Sequence, residues 1–188
     1  MRMTAATEPT SYERPPAVMT EKAERLEEIF RAHHDRVFRA AYRVTGNASD
    51  AEDVLQTVFL RLLKHGHSFA GIDDAGRYLH RAGVNAALDI MRSRKSSGVV
   101  PLDDVELNTI RDPGFSPSDH QDASERRAVL RAAVAGLHPT AAEMFVLRYF
   151  EGYDNAEVAK MMETSEGTVA VTLHRTRTRL QKDLGGIR

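Results

Sequence analysis

The sequence predicts an all-α protein with two small helical domains joined by a flexible acidic linker and a helix-turn-helix in the second domain. In both halves, apolar residues recur at three- and four-residue spacings, without sustained strand-like alternation. Residues 96–122 hold three prolines, two glycines and six acidic residues against one arginine, a composition typical of a linker. We therefore divide the chain into a disordered leader (1–19), a first domain (20–95), the linker (96–122) and a second domain (123–188).

The composition restricts the classes of protein. Cysteine is absent, which excludes disulfides and thiolate metal sites. No stretch approaches the roughly 20 apolar residues that span a bilayer, and residues 1–19 lack the apolar core of a signal peptide. We therefore expect a cytoplasmic protein without membrane insertion. The net charge is −1, but its sign differs along the chain. Residues 165–188 carry five basic side chains and two acidic ones, whereas the linker is acidic.

Three helices are predicted in the first domain. The first runs over about residues 20–44 and is stopped by Gly46 and Asn47. The second opens on a capping box of Ser49 and Glu52, and its apolar face fits the helical template. That apolar face consists of Ala51, Val54, Leu55, Val58, Phe59, Leu62 and Leu63. The third helix is capped by Asp73 or Asp74 and runs to about residue 94.

Two surfaces of the first domain have side chains suited to binding. The polar side of the second helix includes Leu60, which suits a protein–protein contact, although single exposed leucines are also common. On the third helix, Arg77, Arg81 and Asn85 recur at four-residue spacing beside Tyr78. Charge, an aromatic ring and an amide are what single-stranded DNA requires. The alternative for this second surface is a solvated helix face with a core tyrosine.

Four helices are predicted in the second domain. Ser124 caps the first, which ends near residue 135. Thr140 and Glu143 form a capping box that opens the next helix, over residues 140–150. A short helix follows over residues 155–162, and Ser165 caps the last helix, which ends near residue 184.

The last two helices have the spacing of a helix-turn-helix. Ala159 is small enough for two helices to approach closely, and Val169, ten residues later, packs the second helix back on the first. The exposed hydroxyls and guanidinium groups of the last helix suit DNA bases and phosphates. The alternative is two packed helices with a solvated basic face. In the turn, Glu163 stands where a glycine is usual, so we expect a strained turn or one of different shape.

Together these segments resemble the extracytoplasmic-function sigma factors of the bacterial sigma-70 family. The resemblance covers about residues 27–94 and 124–184. The motifs that carry it are GNASDAEDVLQTVF (46–59), YLHRAGVN (78–85), LRYFEG (147–152), GTV (167–169) and LHR (173–175).

The resemblance implies a non-enzymatic factor that binds the β′ and β subunits of core RNA polymerase and reads the −10 and −35 elements of promoter DNA. It also implies an anti-sigma factor as a partner. The residues implied in core binding are Asp53, Gln56, Thr57, Leu60 and Arg61. Those implied at the −10 element are Arg77, Tyr78, Arg81 and Asn85. Those implied at the −35 element are Glu166, Thr168, Val171, Thr172, His174, Arg175 and Arg179.

The chain departs from the family pattern in two places. Tyr78 stands where members often have tryptophan. Ala170 and Thr172 stand where the reading helix usually carries basic residues. Fewer phosphate contacts weaken duplex binding, so we expect an unusual −35 sequence or a greater dependence on the first domain.

Three other classes of protein share some of these features. A stand-alone helix-turn-helix regulator would bind duplex DNA without polymerase. An enzyme is disfavoured, since no phosphate-binding glycine loop, H-E-x-x-H motif or nucleophile motif is present, and we expect no cofactor and no metal site. Histidines occur in pairs at His33 and His34 and at His65 and His67, yet scattered surface histidines are the commoner case. A helical adaptor without a DNA role is the third alternative.

Overall fold

The computed structural model describes residues 17–65, 72–97 and 117–185. Within these ranges the chain forms α-helices and one short π-helical segment, and no strand. The all-α prediction is confirmed. The elements are α1 (Ala17–Thr45), α2 (Ala48–His65), α3 (Ile72–Ser97), α4 (Pro117–Ala135), α5 (Pro139–Phe145), the π segment (Val146–Phe150), α6 (Asn155–Met161) and α7 (Glu166–Leu184).

The first domain is built from α1, α2 and α3. Two glycines of α3 allow it to pack closely on α1: a Cβ at Gly76 would lie 2.5 Å from Cε1 of His33, and one at Gly83 would lie 3.0 Å from Cγ1 of Val37. Since real Cβ atoms do not approach that closely without a shift, these glycines set the distance between the helices. The buried His33 is therefore part of the helix packing.

The junction between α1 and α2 differs from its prediction. Gly46 ends α1 with φ of +70°, a conformation that glycine adopts without steric cost. The side chain of Asn47 accepts a 3.0 Å hydrogen bond from the backbone of Asp50. Asn47 therefore caps α2, and the predicted capping box of Ser49 and Glu52 is wrong by two residues. Asparagine caps a helix as well as serine does, so the sequence offered both positions.

Two further predicted caps in the second domain are wrong. The helix expected to begin at Ser124 begins at Pro117. The next helix begins at Pro139, and its cap residue His138 makes no side-chain capping bond. Proline supplies its fixed φ at the first helical position, so Thr140 is not required as a cap. Glu143 is buried and makes a different contact, described below.

The helix-turn-helix has a well-defined start for each of its helices. Asp154 and Glu157 form a capping box at α6, which the sequence reading missed, and Ser165 caps α7 as predicted. In the turn between them Glu163 has φ of +53°. Non-glycine residues carry a cost of roughly 1–2 kcal/mol in this region, so the expectation of a strained turn is confirmed.

The two domains pack against each other, with α3 in contact with α4 and α5 and with α1 in contact with the π segment. Their buried apolar residues form one continuous cluster. The predicted leader, 1–19, and linker, 96–122, lie largely outside the described residues. Helix α3 runs to Ser97 and α4 begins at Pro117, so regular structure extends into the predicted linker range from both sides.

Candidate functional site

The helix-turn-helix has the geometry that its sequence predicts. Ala159 is buried on α6, and Val169 and Leu173 are buried on α7. Successive residues of a helix are rotated by about 100° about its axis. Val171 lies two residues from Val169 and two from Leu173, so its side chain points directly away from the face of α7 that packs on α6. Its side chain is 50% exposed. An apolar side chain therefore lies at the centre of the outward face of α7.

The other side chains predicted to read DNA on α7 differ in their surroundings. Glu166, His174 and Arg175 are exposed, whereas Thr172 is half-buried. The Thr168 hydroxyl lies 2.9 Å from the Ser165 hydroxyl and takes part in the helix cap. Arg179 is exposed, and its Nε lies 3.6 Å from a carboxylate oxygen of Asp183. Only the first three, with Val171, project into solvent without such a contact in the described residues.

The predicted core-binding face of α2 is largely open to solvent. Leu60 is 52% exposed, as expected. Asp53, Gln56 and Arg61 are exposed and Thr57 is half-buried. Leu63 was assigned to the apolar face and is 47% exposed, so that assignment is wrong. The exposed apolar surface of α2 is consequently larger than the sequence indicated.

The stripe predicted on α3 is divided between two environments. Arg77 and Tyr78 are exposed. Arg81 is half-buried, because its Nε donates a 2.6 Å hydrogen bond to Oε1 of Glu143 and its Nη1 donates another to the carbonyl of Met161. Asn85 is also half-buried. The exposed ring of Tyr78 disfavours the alternative of a core tyrosine.

A contact between the domains surrounds Arg81, and we call it the interdomain seam. On its first-domain side are Arg36, Arg43, His80 and Arg81, and on its second-domain side are Glu143, Glu151 and Tyr153. Arg43 donates a 2.8 Å hydrogen bond to Glu151, and Arg36 donates one to the hydroxyl of Tyr153. The π segment positions the second-domain side of the seam. Its last turn is closed by two backbone hydrogen bonds, from the N–H of Glu151 to the carbonyl of Val146 and from the N–H of Tyr153 to the carbonyl of Leu147. Between them Gly152 has φ of +82°.

The sequence reading missed the seam. Its signal was present, since Arg36, Arg39 and Arg43 recur at three- and four-residue spacing on one face of α1. The partners of Arg36 and Arg43 lie more than 100 residues away, however, and periodicity within one helix does not identify a distant partner.

His80 lies fully buried in the seam. Burial, with the charges of Arg36 and Arg43, lowers the pKa of His80 from its ordinary value of 6.5 to about 4. Its Nε2 lies 3.4 Å from a carboxylate oxygen of Glu151, but the ring is neutral near pH 7 and the two do not form an ion pair. Within the described residues neither ring nitrogen has a hydrogen-bond partner.

The described part of the chain offers neither a metal site nor a membrane-spanning helix. It contains no group of three or more histidine, cysteine, aspartate or glutamate side chains that could hold a metal ion. None of its helices is both long and apolar enough to cross a bilayer.

Two stretches of the chain match families of known proteins. Residues 29–97 match Sigma-70 region 2 and residues 127–180 match Sigma-70 region 4. The first stretch contains the whole of α2 and α3, and the second contains α6 and all but the last four residues of α7.

Named relatives agree with these families. The chain is 33% identical over 157 residues to the ECF RNA polymerase sigma factor SigE of Mycolicibacterium smegmatis, covering 82% of this chain and 60% of that protein. It is 32% identical over 159 residues to the RNA polymerase sigma-E factor of Streptomyces avermitilis, covering 85% and 84%. It thus spans less than two thirds of the first relative and most of the second.

A solved structure of a sigma factor also aligns with the chain. It is RpoE of Bartonella quintana, crystallised in complex with the anti-sigma factor NepR, at 18% identity and a TM-score of 0.47, covering 90% of this chain and 99% of that one. The family matches and the two relatives carry the assignment. The chain belongs to the sigma-70 family and is an extracytoplasmic-function RNA polymerase sigma factor, a regulatory protein of promoter-specific transcription initiation.

Proposed function

We propose that this chain binds core RNA polymerase through α2 and reads promoter DNA through α3 and α7. The observation that carries the proposal is the geometry of α7, whose outward face presents Val171 and Arg175 opposite a buried Val169. A helix supported by a second helix in this way fits the major groove. We also propose that the protein is located in the cytoplasm, because transcription takes place in that compartment.

Each predicted set of residues has a role in this proposal. The exposed face of α2 docks on core polymerase at the β′ subunit, with Leu60 as the apolar contact. On α3, Tyr78 stacks on an unpaired base and Asn85 reads a base of the −10 element, while Arg77 and Arg81 bind phosphates. On α7, the exposed side chains bind the −35 duplex in the major groove. The domain division given above and an anti-sigma partner belong to the same proposal.

The experiment that tests the proposal is promoter binding and run-off transcription by the full chain, with and without core enzyme. We expect specific binding and redirected start sites only with core. A stand-alone regulator would bind duplex DNA equally well without core, and that result would overturn the proposal.

A matched pair of variants tests the role of α2. Leu60→Glu is expected to weaken core binding at least tenfold. Val129→Glu adds the same charge at an exposed valine of α4 and is expected to leave core binding unchanged. Equal effects of both variants would remove α2 from the core interface.

A further inference from the structure

A small cavity lies between α1, α4 and the π segment. Its volume is 210 Å³, which equals the room taken by about seven molecules of liquid water. The side chains that line it are those of Tyr42, Arg43, Arg127, Leu130, Arg131 and Phe150. Among the described residues, this lining contains three arginines and no acidic side chain. The cavity therefore has the size of one aromatic ring with a polar group attached, and its charge is positive.

The apolar walls of the cavity are held in place by the protein. Tyr42, Leu130 and Phe150 are half-buried and pack against the hydrophobic core. The ring of Tyr42 stacks on Phe38 with 6.4 Å between centroids, and the ring of Phe150 meets Phe145 edge to face at 6.2 Å. Binding sites for small molecules are typically preformed, with apolar and aromatic walls and a few placed polar groups. These walls fit that description.

The polar groups are guanidinium groups of α1 and α4. The Nε of Arg127 donates a 3.0 Å hydrogen bond to the carbonyl of Ala123, one turn earlier. This bond holds the side chain along α4, while its two terminal nitrogens have no hydrogen-bond partner in the part of the chain that the structure describes. Arg131, one turn later on the same side, is buried. A guanidinium group binds a carboxylate through two parallel hydrogen bonds and also stacks on aromatic rings.

The positive charges around the cavity select the charge of a ligand. Glu151 neutralises Arg43 in part, through the 2.8 Å bond from Nη1, but it does not line the cavity. Three like charges around a small space repel one another, and partial burial strengthens that repulsion. An anion in the cavity relieves it, whereas a neutral molecule does not. An anion without an apolar part would leave the aromatic walls uncovered.

We infer that this cavity is a binding site for a small aromatic carboxylate, with the ring between Tyr42, Leu130 and Phe150 and the carboxylate at Arg127. The inference goes beyond the proposed function and depends on neither polymerase nor promoter. The walls come from α1 of the first domain and from α4 and the π segment of the second. The ligand therefore binds the arrangement in which the two domains are packed together, which we call the closed arrangement, and stabilises it by mass action.

The first test is titration calorimetry of the full chain with benzoate at constant ionic strength. Acetate carries the charge without the ring, and benzyl alcohol carries the ring without the charge. Benzoate is expected to bind at least tenfold more tightly than either. An equal affinity for acetate would show ordinary ion pairing at arginines, and an equal affinity for benzyl alcohol would show an apolar site that does not recognise charge. Either result, or the absence of benzoate binding at millimolar concentration, would overturn the inference.

The second test locates the site with matched variants. Arg127→Gln removes a guanidinium group from the cavity, and Arg126→Gln makes the same change at the neighbouring exposed position, which does not line it. Affinity for benzoate is expected to fall at least fivefold in Arg127→Gln and to stay unchanged in Arg126→Gln. Leu130→Phe places a larger side chain at the cavity while keeping all three arginines, and it is expected to abolish binding. Equal losses in the two glutamine variants, or wild-type binding by Leu130→Phe, would place the site elsewhere.

The third test measures the effect of the ligand on folding. Benzoate at ten times its dissociation constant is expected to raise the ratio of folded to unfolded chain about elevenfold, seen as a higher midpoint of the thermal melt in wild type and Arg126→Gln. The same concentration should have little effect on Arg127→Gln, and equal shifts in all three proteins would overturn the site. A chain that redirects initiation but does not bind benzoate would disprove the site alone. A chain that binds benzoate but never redirects initiation would disprove the proposed function alone.

Discussion

Arg81 and Glu143 are joined by a 2.6 Å hydrogen bond from Nε to Oε1, although they lie 62 positions apart. The glutamate side chain is 8% exposed and the arginine side chain 35% exposed. A glutamate that the sequence places in a capping box is thus a contact between the domains, and an arginine predicted to touch DNA is held by it.

The Arg81–Glu143 contact is expected to stabilise the closed arrangement by about 1 kcal/mol, a modest value because the arginine is partly solvated. A double-mutant cycle of Arg81→Gln and Glu143→Gln, followed by chemical denaturation, measures this coupling. A coupling energy indistinguishable from zero would show that the two side chains act independently.

His80 makes stability depend on pH. The pKa of His80 is about 4 in the folded chain and 6.5 in the unfolded chain. Between these two pH values the imidazole binds a proton in the unfolded chain but not in the folded chain. The free energy of unfolding therefore falls as pH drops from 6.5 towards 4, by about 2 kcal/mol at pH 5. The groups facing the ring are Arg36, Arg43, Glu151 and Tyr153.

Denaturation of wild type and His80→Gln at pH 7.5 and pH 5 checks this. The variant is expected to be less stable at pH 7.5 and to lose less stability on acidification. Identical losses in the two proteins would assign the pH dependence to other groups.

The sequence was sufficient for features that depend on neighbouring residues. The helical periodicity, the cap at Ser165 and the close approach at Ala159 follow from local spacing, and all are confirmed. The sequence does not show which of two suitable residues caps a helix when their capping energies are similar, as those of Asn47 and Ser49 are.

The interdomain seam was not predictable in the same way. Arg43 and Glu151 lie 108 positions apart, and nothing in the spacing of either residue indicates the other. The direction of Glu151 also depends on the π segment and on Gly152, since a wider helical turn rotates the residues that follow it. A regular helix through residue 150 would have placed that carboxylate elsewhere.

Glu163→Gly is expected to raise the free energy of unfolding by about 1 kcal/mol. Glycine adopts the φ of +53° found here without the steric cost of a Cβ. Glu163→Ala keeps the Cβ and is the control, with an expected change near zero. A thermal melt that shows the alanine variant to be as stable as the glycine variant would contradict the strain.

Arg175→Ala is expected to reduce holoenzyme affinity for promoter DNA by about 1–3 kcal/mol, since Arg175 lies on the outward face of α7 and is exposed. The matched control is Arg177→Ala. Arg177 lies two residues further along α7, so its side chain points towards a different side of the helix. Titration of labelled promoter with holoenzyme measures both. An affinity unchanged in Arg175→Ala would remove this residue from the DNA interface.

Val171 is expected to read the methyl group of a thymine in the −35 element. Apolar side chains contact that methyl group in the major groove, and Val171 is 50% exposed on the outward face. Burying one methyl group contributes about 0.8 kcal/mol, so replacing the contacted thymine by uracil should weaken wild-type binding about fourfold.

Val171→Ala should bind the thymine and uracil forms almost equally, since the shortened side chain no longer reaches the methyl group. The measurement is holoenzyme affinity for promoter duplexes in which each −35 thymine is replaced by uracil in turn. If no single replacement distinguishes wild type from Val171→Ala, the valine does not contact a thymine, and other exposed side chains of α7 read this element.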